Sequence, residues 1–265
     1  MSKVSIETSS YSFTFPLISD NNFAHQKLND FIELYNESYL KEIKSVIEDD
    51  NKKNLLLSIF SNSPYLTNLL FKNFEFVLSL FSHSPEKLLE EIFLNLKEIC
   101  LNDTSVVDLM KHLRIAKARV ALIIAFADLS GEWKLTKITK GLSDFAEIAL
   151  NLSVNFLLKD GINSGNLYHD IINNDYANNS GYVMLAMGKL GGYELNYSSD
   201  IDLIVLFDIE VVKYCGKRSP QDFFIKLTQK LVKIMSDRTA DGYVFRTDLR
   251  LRPDPGATPV ALSME

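Results

Sequence analysis

Two aspartates separated by one residue, Asp200 and Asp202, stand in the stretch "YSSDIDLIVLF". The apolar run after them reads as a β-strand, and side chains on a strand alternate faces. The two carboxylates therefore point the same way, while Ile201 and Leu203 point into a core. Their Cα atoms are expected roughly 6.5–7 Å apart. Carboxylates so spaced can converge on a pair of divalent ions about 3.5–4 Å apart, the arrangement used for in-line displacement at phosphorus. Magnesium suits such oxygen ligands and shares them with substrate phosphates.

A third acid follows in "GYVFRTDLRLR", read as a strand. Alternation puts Phe245, Thr247, Leu249 and Leu251 on one face, and Arg246, Asp248, Arg250 and Arg252 on the other. One acid among three arginines is unsuited to a core. It is suited to a third metal ligand or base with cations for phosphate, or to the solvated face of an edge strand. Ahead of the D-x-D pair lies "MGKLGGYELN". A turn built on Gly188, Gly191 and Gly192 lets backbone N–H groups approach a phosphate with no Cβ in the way, and Lys189 adds a positive charge. A glycine turn or a D-x-D alone recurs by chance. The ordered series of strand, glycine turn, D-x-D strand, helix and third-acid strand is far more specific.

The elements that must position these residues are legible from periodicity. The first 22 residues or so are polar and aperiodic, as in an extended arm. Apolar residues then recur at helical spacing from Phe23 to about Asp50. Ser63-Pro64 and Ser84-Pro85 each read as an N-cap with proline in the first turn. A longer helix is expected to begin near Asp103 or Thr104, with Leu109, Leu113, Ala116, Val120, Ile123 and Ala127 as its apolar stripe. Lys111, Arg114 and Lys117 lie on another face, expected to be solvated. A further helix is predicted from a Ser143 cap to a Gly161 stop, and "NNDYANNSG" at 173–181 reads as a loop. "YVMLAM" reads as a buried strand. Ser219-Pro220 opens a helix through Phe224, Leu227, Leu231 and Ile234. The expectation is an α+β protein: a helical N-terminal region over 1–105, then a core with its preceding helices over 106–265.

Composition narrows the function classes. The 265 residues carry a formal charge of −6, which argues against a general nucleic-acid binder. The two cysteines offer neither a disulfide framework nor a metal knuckle, and point to a reducing compartment. The N-terminus lacks a signal-peptide pattern, and "VALIIAFADL" is too short to span a bilayer, so a cytoplasmic protein without membrane contact is expected. His25, His83, His112 and His169 are scattered away from the motifs and read as structural or surface residues.

The ordered series resembles the polymerase-β-like nucleotidyltransferase superfamily. "MGKLGGYELNYSSDIDLIVLFD" and "RTADGYVFRTDLRLRPDPGATP" resemble, more closely, the bifunctional glutamine synthetase adenylyltransferase/adenylyl-removing family, and "LRIAKARVALIIAFADLSGEWKLTKITKGLSDFAEIAL" is similar to the helical segment that precedes its catalytic core. The form "KLGG-x-ELN-x-SSDIDL" resembles the N-terminal, adenylyl-removing half. The resemblance implies a polymerase-β-like core with a small mixed sheet. It implies Asp200, Asp202 and Asp248 as catalytic and magnesium-binding acids, with Ser199 beside them at the nucleotide. Phosphate is held by Gly191 and Gly192 or, in the other alignment, by Gly188 with Lys189. From the strand face they share with Asp248, Arg246 or Arg250 is expected to steady an incoming phosphate. The implied reaction is phosphorolysis of AMP from a tyrosine of glutamine synthetase, with ATP or ADP and inorganic phosphate as small ligands and the PII signal protein as a possible regulator. The alternatives are a silent nucleotide- or partner-binding remnant and the AMP-adding activity. The family's enzyme continues past "ALSME" with further helices, a linker and a second catalytic domain. On that resemblance the chain is expected to be a fragment, a split-gene half or the product of a degraded gene.

Overall fold

In the computed structural model, residues 15–35, 37–168, 175–178 and 180–264 are described. Most of the expected N-terminal arm (1–14), part of the 173–181 loop and His169 lie outside them. The chain divides into two compact units, Met1–Leu88 with Leu122–Ile138, and Leu89–Ala121 with Thr139–Glu265. Among the described residues no helix is long and apolar enough to cross a membrane.

The first unit is helical. The periodic run expected from Phe23 to Asp50 is two helices, α1 (Asn21–Ile32) and α2 (Glu37–Glu48). Asp20 caps α1 by accepting the Phe23 amide, so the helix starts two residues earlier than the periodicity suggests. Next come α3 (Asp50–Asn62), α4 (Pro64–Lys72) and α5 (Phe74–Ser82). The Ser63 side chain accepts the Leu66 amide and opens α4, as the Ser-Pro pair predicts. Phe31, Leu56, Ile59, Phe60, Leu70 and Val77 are buried together with Leu122 and Phe126. The Phe31 ring meets Tyr35 and Phe71 edge-on at 5.5 Å in each case, the geometry that ring quadrupoles favour.

Three helices contribute to both units: α6 (Pro85–Lys97), α7 (Val106–Leu129) and α8 (Leu135–Asn163). The cap of α7 is Ser105, which accepts the Asp108 amide and donates to the Asp108 carboxylate, not Asp103 or Thr104. The expected apolar stripe is buried throughout. α8 starts eight residues before Ser143, which is an interior residue with its hydroxyl donating to the Thr139 carbonyl. Gly161 is interior too. A Cβ there would stand 2.9 Å from the Phe223 ring, so the glycine serves close packing and the chain turns only at Gly165, with φ +68°.

The basic row on α7 is not a solvated face. Lys111 is exposed, but Arg114 and Lys117 are only 1% and 8% exposed. Burial pushes the Lys117 amine down from 10.5 to about 7. Between those values the unfolded chain binds one more proton than the folded chain. Stability should therefore rise with pH from about 7 towards 10.5, by up to about 1.4 kcal/mol per pH unit, and this gain is absent below 7. Urea unfolding across that window should show the slope in the parent, and Lys117→Met should flatten it.

The second unit carries the sheet. β1 (Tyr182–Met187) pairs antiparallel with β2 (Ile201–Phe207), and β2 pairs parallel with both β3 (Thr247–Asp248) and β4 (Leu262–Ser263). Between β1 and β2 lies a single helical turn, α9 (Gly188–Gly191); between β2 and β3 runs α10 (Pro220–Ser236). The small mixed sheet beside helices is the α+β arrangement expected. β2 alternates buried and half-buried residues as predicted, with Ile201, Leu203, Val205 and Phe207 inward. β1 is not a buried strand: it borders the sheet, Tyr182 is buried, and Val183, Leu185 and Met187 are exposed. Ser219 caps α10 by accepting the Asp222 amide, and its predicted apolar row is buried. The expected long third strand is short. Val244 and Phe245 are both buried, which breaks the alternation, and beyond Arg250 the chain turns back on itself. Arg252 holds that turn by donating to the carbonyls of Leu249, Pro255 and Thr258. β4 was not expected from the sequence.

Candidate active site

Register places the acids. Asp202, the second residue of β2, lies opposite Met187 of β1 and pairs in register with Asp248 of β3. In-register residues on neighbouring strands project from the same face, with their backbones about 4.8 Å apart. Asp202 and Asp248 are therefore side by side. Asp200 sits just before β2, exposed, two residues from Asp202. The amide of Ile201 donates to the Arg246 carbonyl at 2.9 Å, continuing the β2–β3 pairing to the edge where Asp200 lies.

The arginines are interleaved with the acids. Arg246 donates from Nε to Asp200 at 2.5 Å and from Nη2 to the Ser198 carbonyl at 2.9 Å. Arg250 grips Asp248 through Nε, at 3.0 and 2.9 Å to its two oxygens, and through Nη2 at 2.5 Å. Asp248 also accepts the Arg250 amide at 2.8 Å. These bonds hold the Asp248 carboxyl down at about 2, and Arg250 also feels the charges of Asp200 and Asp202. Asp202 forms no ion pair among the described residues. The three acids do not stand as a ready triad: among the described residues no three acidic, His or Cys side chains are grouped to hold a metal, because Asp200 and Asp248 are each turned to an arginine. Arg250→Ala should raise the Asp248 pKa from about 2 towards the ordinary carboxylate value. A carboxyl-carbon NMR titration would read this directly, and an unmoved midpoint would mean Arg250 is not the cause.

The glycines meet different needs. The stretch from Gly188 to Gly191 is a helical turn, not an open loop. Gly188 has φ +52°, and a Cβ there would lie 2.8 Å from an Asp202 carboxylate oxygen. Its bareness leaves room for that acid. A Cβ at Gly191 would lie 2.5 Å from the Ala186 carbonyl oxygen, so this glycine lets the turn close on β1. At Gly192 the nearest atom is 3.6 Å away. Lys189 is on the turn. Ser199 accepts the Asn196 amide at 3.2 Å and shapes the bend into Asp200. Tyr193, at φ 56°, donates to Glu147 of α8 at 3.1 Å, and the Leu195 amide donates to Ser143. These two contacts, which no spacing rule signals, dock the spacer before β2 on α8.

Strand, helical turn, D-x-D strand, helix and acid-bearing strand together define a nucleotidyltransferase-like α+β fold with its acids at one end of the sheet. The family model described as glutamate–ammonia ligase adenylyltransferase matches residues 53–265, and the chain belongs to that family. It is 38% identical over 242 residues to a bifunctional glutamine synthetase adenylyltransferase/adenylyl-removing enzyme of Bradyrhizobium sp. strain BTAi1, covering 91% of this chain and 24% of that protein. The same-named protein of Mesorhizobium japonicum is 38% identical over 248 residues, 93% of this chain and 25% of its own length. That of Rhodopseudomonas palustris strain CGA009 is 40% identical over 209 residues, 78% and 21% respectively. The chain thus spans about a quarter of the length of the curated relatives it matches.

Proposed function

We propose that this chain is a magnesium-dependent nucleotidyltransferase that removes AMP from an adenylylated tyrosine of glutamine synthetase by phosphorolysis, releasing ADP. The observation that carries the reading is the register of Asp202 beside Asp248 with Asp200 two residues away and two arginines among them. The relatives' printed name, which joins adenylyl transfer and adenylyl removal on glutamine synthetase, supports the substrate.

By chemistry the donor set suits a divalent ion: three hard carboxylates, of which Asp202 forms no ion pair among the described residues and has a bare glycine beside it, while Asp200 and Asp248 would have to turn from their arginines to join it. Asp200, Asp202 and Asp248 would hold magnesium, which when bound supplies charge neutralisation at the phosphorus and at the attacking and departing oxygens. The protein's own part is positioning and charge. Arg246 and Arg250 balance Asp200 and Asp248; were those acids to hold magnesium, both guanidiniums would be free to bind phosphate. Planar guanidiniums suit phosphate oxygens through paired N–H bonds. A phosphate oxygen attacks the AMP phosphorus, the bond to the tyrosine oxygen breaks, and the phenolate leaves to take a proton from water. The glycine turn bearing Lys189, with Ser199 at the bend, borders the phosphate path.

Calorimetric titration with ADP and magnesium tests the site without turnover. Binding should be saturable, should need magnesium, and should weaken at least roughly tenfold in Arg246→Ala, the loss of one charge-assisted contact. ADP binding indifferent to magnesium would count against the reading. Binding without any transfer in either direction would favour a nucleotide-binding remnant.

A further inference from the structure

Arg114 lies on α7, far in sequence from the acids, yet its guanidinium is spent on their support. It donates from Nε to the Gly242 carbonyl at 2.9 Å, from Nη2 to the Asp237 carbonyl at 2.5 Å, and from Nη1 to the Met110 carbonyl of its own helix at 2.8 Å. Asp237 and Gly242 are the two shoulders of the turn that leads from α10 to β3. Leaving that turn, the amides of Val244 and Phe245 return to the Met235 carbonyl, at 2.9 and 3.1 Å. Ser236 donates to the Phe245 carbonyl and accepts the Thr247 amide, at 3.0 and 3.2 Å. The turn is tied to α7, and the segment after it to the end of α10.

Lys117 stands one turn further along α7. Its ammonium is 3.9 Å from the centroid of the Phe245 ring and 5.7 Å from that of Phe145 on α8. No neighbouring charge shifts it; burial alone does, while Asp237 and Asp241 act on Arg114. A buried lysine with rings for partners and, among the described residues, no anion paired with it opposes folding, and a methionine of similar length would fill the same space at lower cost. The Phe245 it holds is the residue before Arg246, whose carbonyl receives the Ile201 amide.

We propose that Arg114 and Lys117 are positioning residues of the nucleotidyl-transfer site: together they clamp the segment from Asp237 to Phe245, so that Arg246 and Asp248 are presented to Asp200 and Asp202. The inference rests on the reaction proposed above, but the clamp can be read without it. Amide signals of Phe245 to Asp248, followed by NMR from about pH 6 to about pH 9, should move together in the parent as the Lys117 ammonium loses its proton. Lys117→Met should abolish that movement, and Lys117→Arg should hold the signals at their low-pH positions. Arg114→Lys, which cannot span both carbonyls, should displace the signals of Asp237 and of Gly242 to Asp248. Unchanged signals at Phe245 to Asp248 in both Lys117→Met and Arg114→Lys would overturn the clamp. With adenylylated glutamine synthetase as substrate, both variants should lose roughly 10–100-fold in kcat with KM within about twofold, as for a misplaced catalytic group. Parental kcat in the two variants, despite displaced signals, would overturn the positioning role. An inactive parent chain would count against the proposed reaction, and the NMR result would still decide the clamp.

Discussion

Asp202→Asn should lower adenylyl transfer by roughly 10^3-fold or more, the scale of losing a central charge-stabilising group, while leaving the fold in place. The reason is local. Asp202 is the second residue of the central strand, stands in register with Asp248, and forms no ion pair among the described residues, so no ion pair is broken by the amide. Asparagine has the same shape and differs by one charge, the charge a magnesium ion requires. A melting temperature within about 2 °C of the parent should accompany the loss. Magnesium should also raise the melting temperature of the parent more than that of the variant, since a ligand stabilises only the form that binds it. Equal stabilisation of both, or a rate within tenfold of the parent, would remove Asp202 from the metal site.

The largest effect on stability is expected at Gly191. An alanine there puts a Cβ 2.5 Å from the Ala186 carbonyl oxygen and 3.1 Å from its carbon, both in the backbone of β1. Backbone in a paired strand cannot move aside cheaply, so Gly191→Ala should cost about 1–3 kcal/mol and lower the melting temperature by several degrees. Gly192→Ala is the control. Its nearest neighbour is 3.6 Å away and its φ is −87°, so the change should stay within about 0.5 kcal/mol. Denaturant melts of the two variants separate a packing role from a general need for bare backbone. Equal destabilisation, or none at Gly191, would contradict the geometry.

The contrast between neighbouring glycines shows what spacing conveys and what it does not. The three glycines read as one phosphate-binding turn in the sequence. In the structure Gly188 leaves room for a carboxylate and Gly191 for a strand carbonyl, while Gly192 meets neither constraint. The features legible in advance are short-range. The Ser-Pro helix starts at Ser63 and Ser219 and the alternation of β2 depend on bonds within a few residues, and they stand as expected. The burial of Arg114 is not legible in the sequence, because a helical row of basic residues reads as solvated and its partners lie 123 and 128 residues further on. The run of β1 reads as buried because apolar composition does not distinguish a central strand from a border strand. Ser143 carried a cap residue's type, but its hydroxyl serves the chain at Leu195, and the helix begins well before it. At the site, the sequence brings out the acids and arginines by type. It cannot show that Arg246 takes Asp200 and Arg250 takes Asp248, since that pairing depends on where β3 ends and the chain turns.

That pairing gives the proposed reaction its physical logic. Neighbouring carboxylates repel one another, and the arginines offset this at Asp200 and Asp248. In the proposed reaction the same guanidiniums would be available for phosphate once the acids held metal. The central claim is therefore best tested by following phosphate itself. The chain is incubated with adenylylated glutamine synthetase, magnesium and radiolabelled inorganic phosphate, and the released nucleotide is identified. The account predicts ADP carrying the label in its terminal phosphate, formed only when phosphate and magnesium are both present and abolished in Asp202→Asn. Release of unlabelled AMP without phosphate, or transfer of AMP from ATP to unmodified glutamine synthetase with no labelled ADP formed, would contradict it.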